Sequence, residues 1–244
     1  MKIALFSDVH ANFPALESMF SSLDKQRADS IFCLGDLVGY NVWPNEVINE
    51  IRRRKIQTLA GNHDAKVNMI QAEPLVNAIG KNYAYHLIES ENKEYLHDLP
   101  AHIRLEFQSI NGTFDMLMVH GSTRRNDEYV LLETPEEEVL DMMETSKAAI
   151  LCVAHSHKPY HRIIHTRDNK YVHVINTGSV GKPKDGNVQG GYVLLDIRAN
   201  TSMDDPNSMG VEFVRFDYDV ERAAKAVEDS PLPNELADML RKAF

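Results

Sequence analysis

Ten residues of this 244-residue chain are of types that do chemistry, and they recur in one kind of place: Asp8, His10, Asp36, Asn62, His63, Asp64, His120, His155, His157 and Asn176. Each lies at or just past the end of a short apolar run. The densest group is Gly61-Asn62-His63-Asp64, which follows the run Ile56 to Ala60. An amide is a usable oxygen ligand for a hard cation, and the imidazole beside it can give or take a proton. Alone, this tetrapeptide is an ordinary turn, since Gly, Asn and Asp favour turns. It gains meaning because the same grammar occurs five more times.

Carboxylates and imidazoles gathered in one cleft carry charge and desolvation penalties that need an offset. Bound metal ions supply one. The donors are oxygen and nitrogen with no sulfur, which points to Mn, Fe, Zn, Ni or Co rather than to a thiolate zinc site. Asp8 and His10 are two apart, as are His155 and His157, so each pair can reach one ion as the chain leaves a sheet. With Asp36, Asn62 and His120 they make seven candidate ligands. That is too many for one four-coordinate ion and suits two ions that share a carboxylate. Two ions about 3.5–4 Å apart stabilise the attacking and leaving oxygens of an in-line displacement, so hydrolysis of a phosphoester is the expected chemistry.

The elements that must position these residues follow in order. Lys2 to Ser7 reads as a buried strand ahead of Asp8, and Asn12 as the start of a helix with Leu16, Met19, Phe20 and Leu23 facing the core. Ser30 to Leu34 is a second strand, ahead of Asp36. Pro44 suits a first helical position. A third strand precedes Asn62. From Ala65 to about Leu99 the pattern is helical and more polar, with a break at Pro74. Ala101 to Ser109 and Phe114 to Val119 read as strands around an Asn111-Gly112 hairpin turn. Thr134 looks like the N-cap of a helix. Strands at Ala148 to Ala154 and Tyr171 to Ile175 carry His155, His157 and Asn176. Two more, Gly191 to Ile197 and Val211 to Phe216, close the sheet region, and 218–244 reads as two helices split by Pro231 and Pro233. Helices alternating with strands early, and strands in succession late, indicate an α/β protein with mixed sheets. In such sheets ligands bind outside the carboxyl ends of strands.

Composition narrows the class. A hydrophobic content of 43% supports a sizeable core, and the net charge of -10 argues against a nucleic-acid surface, which would need a basic stripe. Cys33 and Cys152 lie in apolar runs and read as buried thiols. The N-terminal apolar run is too short for a signal peptide or a membrane span, so a cytoplasmic protein is expected.

Asp8-x-His10, Gly35-Asp36, Gly61-Asn62-His63-Asp64, Val119-His120-Gly121 and His155-Ser156-His157, in this order, resemble the calcineurin-like metallophosphoesterase superfamily. Cys33 to Tyr40 and Asn176-Thr177-Gly178-Ser179-Val180-Gly181 resemble its small bacterial phosphodiesterase branch. The resemblance covers about residues 1–217. It implies a four-layer αββα sandwich of two mixed sheets flanked by helices; the pattern along the chain adds a small helical insertion at about 65–99 and helices at 218–244 packed on the domain. It implies one ion held by Asp8, His10, Asp36 and His157, another by Asp36, Asn62, His120 and His155, and a bridging hydroxide as nucleophile. His63 would protonate the leaving oxygen or steady the phosphoryl group, and Asp64 would orient His63. The family pattern often has Gly where this chain has Ala11 and Ala154, and Pro where it has Thr123; none of these is a ligand.

The expected substrate is a small nucleotide-like or other phosphoester, and the expected cofactor is a pair of divalent transition-metal ions, manganese first. Asn12, Asn176, Ser179 and Arg124 are candidates for touching substrate, although Asn12 is equally a helix cap and Arg124 equally a solvated loop charge. Tyr40 and Trp43 would line a pocket or join the core. No stable nucleic-acid or membrane partner is expected, and a homo-oligomer is open. Two other functions fit less well. A serine/threonine protein phosphatase needs an open groove, whereas 65–99 and 122–134 look like covers. A non-catalytic scaffold would be expected to lose a ligand or His63.

Overall fold

Alternation along the strands decides the layers. In β1 (Lys2–Phe6), Ile3 and Leu5 point to one face while Ala4 and Phe6 point to the other, and all four are fully buried. A strand buried on both faces must be covered on both, and the computed structural model, which describes residues 1–70 and 80–244, covers it with a second sheet on one side and helices on the other.

The first sheet has the order β10-β9-β1-β2-β3, with β2 at Ser30–Cys33, β3 at Gln57–Thr58, β9 at Gly190–Asp196 and β10 at Gly210–Phe216. Its strands β1, β2 and β3 are parallel, β9 runs against them, and β10, antiparallel to β9, runs with them again at the edge. The second sheet has the order β4-β5-β6-β8-β7: His102–Ser109, Gly112–Val119, Ile150–Val153, Tyr171–Asn176 and Tyr160–His165. Here β5, β6 and β8 are parallel. Both sheets are mixed, and helices flank the pair, giving the αββα sandwich.

Three apolar layers hold it together. Ile3, Leu5, Phe32, Leu34, Met116, Met118, Ile150 and Cys152 pack between the sheets. Behind the first sheet lie α1 (Phe13–Leu23) and α2 (Pro44–Arg53), which bury Leu16, Met19, Phe20, Val47, Ile48 and Ile51. Behind the second lies α6 (Glu136–Ser146), whose Val139, Met142 and Met143 meet Leu117, Leu151 and Val153. Asn12 caps α1 by accepting from the Ala15 N–H at 3.2 Å, and Pro44 opens α2.

Between the two sheets in sequence come α3 (Asn62–Lys66), α4 (Tyr83–His86) and α5 (Ser90–His97), with short 3₁₀ turns at Val67–Met69 and Gly80–Asn82. The break expected at Pro74 lies outside the described residues. The chain ends in α7 (Val220–Glu228) and α8 (Glu235–Lys242). Their Ala224, Val227, Leu236 and Leu240 form a cluster with Ala84 of α4, fringed by Tyr40, Val42 and Trp43.

Three local expectations need correcting. The third strand is only Gln57–Thr58: the Leu59 N–H still donates to the Cys33 carbonyl at 3.1 Å, but the Ala60 N–H donates instead to the Pro100 carbonyl at 2.8 Å. Thr134 does not cap α6; its hydroxyl accepts from the Leu131 N–H within the preceding turn, and Pro135 occupies the N-cap. Strand β7 was not anticipated: its Tyr-His-Arg-Ile-Ile-His run has little periodicity and sits at a sheet edge.

Candidate metal centre

Because β1, β2 and β3 run the same way, Asp8, His10, Asp36 and Asn62 leave the first sheet along one edge. For the same reason His120, His155 and His157 leave the second sheet along the edge it presents to the first. The two edges are tied across the sandwich. His120 Nδ1 lies 2.7 Å from the Leu34 carbonyl, the His155 N–H donates to Asp8 Oδ2 at 3.3 Å, and the Gly181 N–H donates to the Asp8 carbonyl at 3.0 Å.

The backbone turns sharply to aim these side chains. Asp8, His10, Asp36, His155 and His157 all have left-handed φ angles, between 50° and 65°. Non-glycine residues visit that region rarely, and such strain concentrates at functional sites. Glycines supply the close approaches. A Cβ on Gly61 would stand 2.1 Å from Asp36 Oδ1, and one on Gly39, whose φ is +93°, would stand 2.5 Å from His63 Nδ1.

The histidines are oriented by their outer nitrogens. His10 Nδ1 donates to the Val38 carbonyl (3.0 Å), His120 Nδ1 to the Leu34 carbonyl, and His157 Nδ1 to the Lys182 carbonyl. That leaves Nε2 of each ring facing inward. There His157 Nε2 lies 3.1 Å from Asp8 Oδ1, His120 Nε2 3.3 Å from Asp36 Oδ2, and His10 Nε2 3.6 and 3.7 Å from the same two oxygens. His10 Nε2 and His157 Nε2 stand 3.1 Å apart, and Asn62 Oδ1 lies 3.1 Å from His120 Nε2. Asp8 Oδ1 and Asp36 Oδ2 are fully buried yet accept no hydrogen bond among the described residues. Two buried, unpartnered carboxylate oxygens facing a ring of imidazole nitrogens are the complement of a cation. Among the described residues, the donor atoms of Asp8, His10 and His157, and those of Asp36, His120 and His155, each lie within 4.8 Å of one another. The donor set therefore fits two divalent ions.

The charges agree. Burial would push the Asp8 and Asp36 carboxyls up, but His157 and His10 beside Asp8, and His120 and His63 beside Asp36, hold both well below the usual carboxylate range. Burial opposes a charge on His120, yet Asp36 pulls it up to about 10, whereas burial outweighs Asp8 at His157 and brings it down to about 4.

His63 is half-buried beside this cluster, with its ring 4.9 Å from that of His10 and 4.8 Å from that of Tyr40. Burial pushes it down to about 3, against the pull of Asp36. The expectation that Asp64 orients it is not met. His63 and Asp64 are the second and third residues of α3, so their side chains leave in different directions. Asp64 folds back to accept from the backbone N–H groups of Gly61 (2.9 Å), Asp36 (2.7 Å) and Leu37 (2.9 Å), pinning the Asp36 loop to the Asn62 turn. Burial and the nearby Asp36 raise its carboxyl to about 6. The partner of His63 Nδ1 is the hydroxyl of Tyr85, a buried residue of α4 whose ring stacks at 6.0 Å.

The four residues expected to touch substrate have protein partners. Asn12 caps α1 and donates to the Gly181 carbonyl at 2.8 Å. Asn176 donates to the Ala154 carbonyl and Ser156 Oγ and accepts from the Gly178 N–H. Ser179 donates to the Asp8 carbonyl and accepts from the Lys182 N–H. Arg124 is exposed and paired with Glu128 and Glu138. The first three shape the loops that carry the ligands. Residues that sequence reasoning passed over also surround the centre. Tyr129, half exposed, stacks on His155 at 4.3 Å, and Lys182 is buried over Tyr40. Tyr129 falls in the 122–134 segment, and the cover-like character of that segment is the one sequence signal for it.

Residues 1–200 match the family model described as the calcineurin-like phosphoesterase superfamily domain. An uncharacterised protein, MJ0912, of Methanocaldococcus jannaschii is 28% identical over 255 residues, covering 98% of this chain and 96% of its own. The crystal structure of a metallophosphoesterase from Sphaerobacter thermophilus superposes with a TM-score of 0.77 at 24% identity, over 100% of this chain and 99% of that one. The hypothetical protein PH1004 from Pyrococcus horikoshii also superposes with a TM-score of 0.77, at 20% identity, over 100% and 98% of the two chains. These two structures share the fold. No helix among the described residues is long and apolar enough to cross a membrane.

Proposed function

The chain belongs to the calcineurin-like phosphoesterase superfamily and is a phosphoester hydrolase; from that premise we propose that it is a two-metal phosphodiesterase or phosphatase acting on a small, nucleotide-like phosphoester. The observation that carries the reading is the pair of orphaned oxygens, Asp8 Oδ1 and Asp36 Oδ2, facing three imidazoles whose Nδ1 atoms are committed to backbone carbonyls. Asp8, His10, Asp36 and His157 would hold one ion and Asp36, Asn62, His120 and His155 the other, with Asp36 shared. When bound, such ions neutralise developing charge on a phosphoryl group and make hydroxide available near neutral pH.

The remaining steps belong to the chain. Residues 1–217 would form the phosphoesterase unit, with α7 and α8 packed against α4 beside Tyr40 and Trp43. His63, with Nδ1 engaged by Tyr85, presents Nε2 to the leaving oxygen and supplies its hydrogen bond or proton. Asp64 keeps the Asp36 and Asn62 loops in register. Tyr40 and Tyr129 present aromatic walls on either side of the histidines.

The test is hydrolysis of bis-p-nitrophenyl phosphate and p-nitrophenyl phosphate after chelation, with Mn, Ni, Zn or Mg added back. Activity that disappears with chelator and returns with a transition metal supports the reading, and the preferred ester separates diesterase from monoesterase. Protein that binds two ions per chain yet cleaves neither ester, nor any nucleotide ester, overturns it.

A further inference from the structure

Lys182 is 2% exposed, which is unusual for a lysine. It follows the Asn176-to-Gly181 loop, and its backbone is part of the centre: its carbonyl receives His157 Nδ1 and its N–H donates to Ser179 Oγ. The side chain then runs to Tyr40, with Nζ over the ring at 4.9 Å. Tyr40 is in turn in edge contact with His10 and lies against His63. Among the described residues, Nζ makes no hydrogen bond and no ion pair. The ammonium therefore stands one aromatic ring away from the group proposed to meet the leaving oxygen, at the end of a buried side chain and with no anion beside it among the described residues.

A cation–π contact does not repay the desolvation of an ammonium. An anion does, and no carboxylate of the described chain fills that place: Asp8 and Asp36 turn their free oxygens toward the histidines. The surroundings favour one. Lys184, half-buried two residues further on, also lacks an ion pair among the described residues, and Lys158 lies on the neighbouring loop. In a chain of net charge -10, this rim of lysines is a local reversal of sign.

We propose that Lys182 is the core of a second anion subsite beside the metal centre, and that the substrate is a phosphoester carrying a second phosphoryl group next to the one that reacts, as in a nucleoside diphosphate or a pyrophosphate-linked nucleotide. The inference rests on the hydrolytic reading of the site and narrows its substrate class. The reacting phosphoryl group faces the candidate ligands and His63. Its neighbour lies along Tyr40 and meets the ammonium of Lys182, with Lys184 adding a second positive charge.

The experiment compares two probes that differ by one phosphoryl group, AMP and α,β-methylene-ADP. Their binding to the full chain with manganese is measured by titration calorimetry, for the natural protein, Lys182→Met, Lys182→Gln and Lys182→Arg. The natural protein should bind the two-phosphoryl probe about tenfold more tightly than AMP or better, in line with a charge-assisted hydrogen bond. Lys182→Met should reduce that ratio to near one, and Lys182→Arg should keep most of it. A ratio that survives Lys182→Met, or a loss equal for both probes, overturns the subsite. If the Met variant fails to fold, Lys182→Gln carries the same test with a neutral, polar and shorter side chain. The readout is binding, with adenosine release monitored so that any hydrolysis of AMP is accounted for; a chain that cleaves no phosphoester would defeat the catalytic reading while leaving this ratio measurable.

Discussion

At the scale of residues, the candidate ligands leave strand ends toward two buried carboxylate oxygens, and His63 stands beside them with its ring 4.9 Å from that of His10. His63 is the residue whose loss should separate chemistry from metal binding. His63→Ala is expected to lower kcat by about 10²-fold or more while the metal content per chain, measured by elemental analysis, stays unchanged. A loss of metal instead would make His63 a ligand. Gly61 makes the converse prediction. Gly61→Ala puts a methyl group into Asp36 Oδ1, so metal content and turnover should fall together. Roles that depend on direction were not legible. Asp64 adjoins His63 in sequence but points to the backbone of Gly61, Asp36 and Leu37, because the third residue of a helix naturally folds back over the first turn. Arg124 and Lys182 show the same limit from opposite sides. The arginine in the flagged loop is taken up by Glu128 and Glu138, while the lysine without an ion pair among the described residues lies just past a motif whose polar groups hold backbone.

At the scale of elements, α4 is the least expected contributor. It is four residues long, too short to be firmly read from periodicity, yet it delivers Tyr85 to His63 across 22 positions of sequence. If the tyrosine sets the tautomer and angle of the ring, Tyr85→Phe should reduce kcat for an ester with a poor, alkyl leaving group by about tenfold. It should matter less for a p-nitrophenyl ester, whose leaving group needs little help from an acid. Equal losses on both esters would reduce Tyr85 to a packing residue. The first-sheet strands and their helices were read nearly in full, since β1 and α1 have clean periods of two and 3.6. Strand β7 was missed because an edge strand with two histidines and an arginine carries almost no pattern.

At the scale of the molecule, four candidate ligands come from the first sheet and three from the second, so metal binding joins the two halves of the sandwich. A ligand that binds only the folded state at 100 times its Kd adds about 2.7 kcal/mol, and for a chain of this size each kcal/mol is worth about 2–4 °C. Chelator should therefore lower the calorimetric Tm by several degrees or more, and an unchanged Tm would mean the halves are held by apolar packing alone. A second prediction concerns acid. His173 is fully buried in β8, with Nδ1 against His161 Nε2 at 3.0 Å and Nε2 without a partner among the described residues. Burial brings His173 down to about 4. The unfolded chain, with an ordinary imidazole near 6.5, takes up the proton first. Stability is thus complete above about pH 6.5 and falls as pH drops toward 4, by on the order of 3 kcal/mol from this residue. His173→Leu should flatten that limb in denaturant titrations between pH 6.5 and 4; an unchanged slope would assign acid sensitivity to the metal-ligand carboxylates instead.

The left-handed turns at Asp8, His10, Asp36, His155 and His157 have a consequence for how such a sequence persists. Each holds a side chain in a conformation that costs roughly 1 kcal/mol or more for anything but glycine or asparagine. Selection for folded yield alone would favour glycine or asparagine at those positions, and each such change would empty part of the centre. In a mutational library scored by thermal survival without added metal, these should be the sites where loss of the natural residue is enriched. In the same library scored by hydrolysis they should tolerate nothing. The two rankings would be most nearly opposite at these five codons, and the breadth of that opposition would measure how much resistance to heat the lineage has given up to keep its chemistry.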